Sequence, residues 1–140
     1  MIRFMPISRV VGVATLALVV AGCGGLYPVS GTVTLEDGTP LTKGLVVFES
    51  ADGNSMARGP IQSDGSFKLG SNQPGDGVRP GKYRALISGF DLTDVPDEMK
   101  NLPFDAKYMR FQTSGLEFEV EAKPNVFQIL LKKSARSRRT

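Results

Sequence analysis

From Val29 onward the chain alternates. Val29, Gly31, Val33 and Leu35 are separated by Ser30, Thr32 and Thr34, the period of two that sets one strand face against a core and the other toward water. Asp37-Gly38 then supplies the residue types of a tight turn. Residues 45–49 form a more continuously apolar run, as a central strand does. Residues 56–62 form a weaker run carrying Pro60, which cannot donate to a ladder and so predicts a position near an edge. After Ser63-Asp64-Gly65 come strands over 66–69 and 82–88, divided by a loop rich in Gly, Asn and Pro. The clearest alternation is late: Leu116, Phe118 and Val120 point one way, and Glu117, Glu119 and Glu121 the other. Pro124-Asn125 leads into residues 126–131, apolar enough to predict a last strand buried on both faces. No segment of this region sustains a 3.6-residue period, so no helix is expected.

About seven short strands divided by turn residues predict an all-β fold, an antiparallel β-sandwich, since a parallel sheet would need crossover helices. The pairs Asp37-Gly38, Asp52-Gly53, Asp64-Gly65 and Asp76-Gly77 recur along it. None supplies the alternating ligands and the distal Glu of a calcium loop, so turn chemistry accounts for them and no metal is expected.

The first 22 residues differ from the rest. Arg3 and Arg9 precede an apolar stretch from Val10 to Val20, too short to span about 30 Å of hydrocarbon, and small residues follow. This is the layout of an export signal. Ala21-Gly22-Cys23 resembles the bacterial lipobox, which implies cleavage before Cys23 and acylation of its thiol; several acyl chains make such an anchor effectively permanent. Cys23 is the chain's one cysteine, so it has no internal disulfide partner. The expected organisation is a signal at 1–22, a lipidated Cys23 with a short tether at 23–27, a sandwich at 28–131 and a basic, disordered tail at 132–140. By the sorting habit of such proteins, Gly24 after the cysteine points to the outer membrane, with the domain on its periplasmic face or at the cell surface.

Cleavage would leave 118 of the 140 residues, enough for one core. Between Cys23 and Leu131 ten basic residues face fourteen acidic ones, which argues against a nucleic-acid partner. Lys132, Lys133, Arg136, Arg138 and Arg139 crowd the end.

Val29-Ser30-Gly31-Thr32-Val33, Gly38-Thr39-Pro40-Leu41, Asp64-Gly65-Ser66-Phe67 and Pro80-Gly81-Lys82-Tyr83 resemble the ordered landmarks of carboxypeptidase regulatory-like domains, which are transthyretin-like sandwiches. Lys107-Tyr108 followed by Thr113-Ser114-Gly115-Leu116 resembles the closing part of such small lipoproteins in planctomycete-type bacteria. The resemblance implies a fold and a location, not an activity.

Catalytic readings fare poorly. The chain has no histidine, which removes the commonest general base and the familiar nucleophilic arrangements, and its cysteine is assigned to lipid. Transthyretin-like hydroxyisourate hydrolases rely on histidines that are missing here. Asp91, Asp94, Asp97, Glu98 and Asp105 cluster in the loop 89–106, a place where sandwiches carry recognition residues, yet nothing fixes two of them at a glycosidase separation. A Lys-to-Asn isopeptide through Asn125 lacks a lysine on the first strand, the nearest being Lys43. No cofactor motif is present. The expectation is a non-catalytic structural or protein-interaction module of the envelope, held to membrane lipid through Cys23 and meeting an envelope protein through the acidic loop or a sheet edge. The alternative is a carbohydrate- or small-ligand-binding domain, weakened by the absence of tryptophan and the presence of just three tyrosines.

Overall fold

The computed structural model of the chain describes residues 25–90 and 102–134. Seven strands follow one another: β1 (Val29–Leu35), β2 (Leu45–Ser50), β3 (Met56–Pro60), β4 (Ser66–Lys68), β5 (Gly81–Ser88), β6 (Leu116–Val120) and β7 (Asn125–Leu131). They form two sheets, β4-β1-β7 and β3-β2-β5-β6, packed as an all-β sandwich. As the sequence predicts, β2 is central and the proline-bearing β3 lies at an edge.

Alternation fixes which residues enter the core. Val29, Val33 and Leu35 of β1 and Ile129 and Leu131 of β7 face Val46 and Phe48 of β2 and Tyr83, Ala85 and Ile87 of β5 across the sandwich, all buried. Gly31 shares the inward face of β1, and the register sets it against Phe127. A Cβ there would lie 1.9 Å from the Phe127 carbonyl oxygen, so the glycine is required by close backbone approach. Tyr83 lies across the core with its hydroxyl donating to the Arg79 carbonyl at 2.9 Å, and burial pushes its phenol pKa above the ordinary value.

Three features depart from the sequence expectations. First, β1 and β7 run parallel, whereas every other paired strand is antiparallel. The tight turn between β6 and β7 passes from one sheet to the other, so its two strands do not pair and β7 meets β1 in the same direction. Second, β7 is not buried on both faces: Val126 is 76 % and Leu130 62 % exposed, and Gln128 lies with them on the outer side. Third, short helical pieces exist, a 3-10 turn at Ala106–Met109 and a single-turn helix α1 at Phe111–Ser114, each too short for a 3.6-residue period to register.

Candidate interaction surface

Each sheet of an open sandwich has two edges whose outward backbone groups lack a ladder partner, and the four edges here are treated differently. The edges of β3 and β4 close on each other. The Arg58 N–H donates to the Gly70 carbonyl at 3.0 Å and the Gly70 N–H returns the bond to Arg58 at 2.9 Å. A Cβ on Gly59 would sit 2.0 Å from the Lys68 carbonyl oxygen, so only glycine lets the strands approach this closely. β4 is three residues long, and β3 ends in proline. Both features discourage strand addition.

β6 is protected by charge. Glu117 and Glu119 project outward, with Glu121 just beyond the strand. Across the ladder Glu117 lies opposite Arg84 and Glu119 opposite Lys82, so the acidic face is answered by β5. Arg84 also grips Glu49 of β2, with Nε and Nη2 both donating to one carboxylate oxygen at 3.0 and 2.9 Å.

β7 has neither safeguard. It is seven residues long and contains no charge and no proline. The Asn125 N–H donates to Pro28 and the Leu131 carbonyl accepts from Glu36, so odd-numbered residues of this strand turn their backbone groups toward β1. Val126, Gln128 and Leu130 therefore turn theirs to the other side, where among the described residues no strand pairs with them. The open stretch has definite ends. Pro124, just before the strand, has no N–H to offer. Past the strand, Lys132 donates to the Tyr108 hydroxyl at 3.1 Å and accepts from the Asp105 N–H at 3.0 Å.

The edges of β6 and β7 lie on the same side of the sandwich, with an aromatic seam between them. Phe118 stacks on Phe48 at a centroid distance of 5.2 Å and meets Phe127 at 4.9 Å. Phe118 and Phe127 are half-buried while Phe48 is fully buried, so the seam opens toward these two edges.

Of the residues singled out from sequence, Cys23, Asp91, Asp94, Asp97 and Glu98 lie outside the described residues. Asp105 stands at the foot of the acidic loop, where its carboxylate accepts from the Lys107 N–H at 3.0 Å and caps the 3-10 turn. Phe90 and Phe104 pack edge to face at 5.3 Å on either side of that loop, drawing its ends together. Asn125 commits its side chain to the β6–β7 turn: it accepts from Glu121 at 3.0 Å and donates to the Glu121 and Lys123 carbonyls at 3.1 and 2.6 Å. Val126, Gln128 and Leu130 were missed as surface residues. The polar Gln128 in mid-strand was the signal of an exposed face, outweighed by the apolar residues around it.

The four Asp-Gly pairs serve turns. Asp37, Asp52 and Asp64 each accept a backbone N–H two residues on, at 3.0, 2.9 and 2.9 Å. Asp76 gathers three, from Ser71, Asn72 and Gln73. Among the described residues no acidic cluster is arranged to hold a metal ion, and no helix is long and apolar enough to cross a membrane. A groove of about 540 Å³ beside β3 is lined by Arg58, Lys68, Gln62, Asn72 and Gln73 but by no aromatic ring. That groove has no ring for a sugar to stack on, whereas a second of about 550 Å³ over β5 and β6 has Tyr83 and Phe118 in its lining. No family model matches the chain, and no curated protein matches it.

Proposed function

We propose that this chain is a lipid-anchored β-sandwich of the cell envelope that acts as a structural or protein-interaction module, without catalysis, and that its working surface is the open edge of β7. The observation that carries this reading is the contrast among the four edges. Three are shortened, clasped or charged, while β7 presents uncharged backbone and exposed Val126 and Leu130. Main-chain bonds to an added strand would supply affinity there, and the outward side chains would supply selectivity. The lipobox-like Ala21-Gly22-Cys23 and the turn landmarks shared with carboxypeptidase regulatory-like domains support the anchoring and the location.

A photo-crosslinking residue in place of Val126, with the full chain in envelope membranes, tests the surface. Protein adducts should form from position 126 and not from the exposed Arg110. Adducts of equal yield from both positions, or from neither, would remove β7 as the working edge.

A further inference from the structure

We infer that the strand added to β7 is the β7 of a second copy of this chain, paired antiparallel about Gln128; this deepens the edge reading above and rests on it. Between Pro124 and the occupied Lys132 the groups turned outward belong to Val126, Gln128 and Leu130, a set whose midpoint is Gln128. A two-fold axis through that midpoint places Gln128 opposite Gln128 of the second copy and Val126 opposite Leu130 of the second copy. Every outward N–H of the three residues then meets an outward C=O, because residues with outward backbone groups form the hydrogen-bonded pairs of an antiparallel ladder.

The side chains agree with that register. On the outer face each exposed Val126 gains an exposed Leu130, an apolar cross-strand pair, and the two glutamine amides lie side by side. No residue from Asn125 to Leu131 is charged, so the strand meets its own copy without repulsion. The lysines brought near each other, Lys123 and Lys133 of the second copy, each already hold an acid, Glu121 and Asp37 respectively. On the inner face the half-buried Phe127, at the open end of the aromatic seam, loses exposure as the edge beside it is covered. The product is one continuous sheet, β4-β1-β7 joined to its copy at β7. The contact is small, and confining both copies to one membrane would raise their effective concentration.

Single cysteines read the register in membranes carrying the full chain, with the parent chain and its Cys23 as background. Position 128 lies about 5.5 Å from its own copy in a hydrogen-bonded antiparallel pair, and position 126 about 14 Å from its own copy along the strand. A thiol reagent long enough for the first distance and too short for the second should give a covalent dimer with Gln128→Cys and none above background with Val126→Cys alone. Val126→Cys mixed with Leu130→Cys should also crosslink. Adding Val126→Lys and Leu130→Lys to Gln128→Cys should abolish the dimer while leaving the melting temperature unchanged. Photo-adducts of position 126 with other proteins, with no Gln128→Cys dimer, would overturn the second copy and leave the edge reading standing. Neither adducts nor dimer would end both, and equal dimer from Val126→Cys alone and Gln128→Cys would mark random collision and overturn the register.

Discussion

An aspartate before a glycine is an ordinary pair of letters until its carboxylate is followed to its donors. Asp37, Asp52, Asp64 and Asp76 all have their pKa values held below the usual carboxylate range. For Asp37 the leading cause is the Lys133 ammonium, followed by the Thr39 N–H; for Asp52 and Asp64 it is a serine hydroxyl. At Asp76 desolvation pushes upward, but the N–H groups of Ser71, Gln73 and Asn72 together outweigh it. A depressed folded-state pKa means stability that is present above the unfolded value, about 3.9 for Asp, and lost as pH falls through the lower folded value. Asp76→Ala should therefore lower the urea midpoint at pH 7, and the gap to the parent should narrow as pH falls toward 3. A gap independent of pH would assign the loss to geometry rather than charge. The turns themselves were legible, because Asp-Gly names its own conformation. The three-donor loop at Asp76 was not, since its donors are the backbone N–H groups of residues 71–73, which side-chain types do not reveal.

Elements were legible where one face alone is buried. β1 and β6 show their period openly, and their buried residues are those the alternation named. β6 offers a direct test. Phe118 stacks on Phe48 and touches Phe127, so Phe118→Asp should cost about 3 kcal/mol through lost packing and an unpaired carboxylate in the seam. Glu119→Lys loses the exposed cross-strand partner Lys82 and sets a like charge opposite it, and at an exposed site should still cost under about 1 kcal/mol. Thermal melts separate the two; similar midpoints would mean that β6 faces the other way. β7 was misread because its outer face carries Val126 and Leu130, and an unbroken apolar run does not say whether both of its faces are covered. The 3-10 turn and α1 fell below any periodic signal. They are set by single residues: the Asp105 carboxylate at one start, and Gly115, at φ 66°, closing α1.

At the scale of the whole molecule, strand count and sandwich class followed from turn spacing, while the parallel β1–β7 pair depends on which sheet each strand joins, and local pattern does not carry that. The ends of the domain are likewise set by long-range contacts. Lys132 and Lys133, which charge alone groups with the basic tail, are fastened to Tyr108 and Asp37. At the other end Tyr27 exchanges backbone bonds of 2.9 Å with Val78, so among the described residues the first one paired to the sandwich stands four positions after Cys23. Folding and anchoring should therefore separate. Cys23→Ala should leave the melting temperature of the sandwich unchanged, because every core residue among the described residues lies beyond Tyr27, while labelled palmitate is no longer incorporated and the protein is unprocessed or mislocalised. Equal label in parent and variant would remove Cys23 as the acylation site. A large fall in melting temperature would show instead that the segment before Tyr27 belongs to the fold.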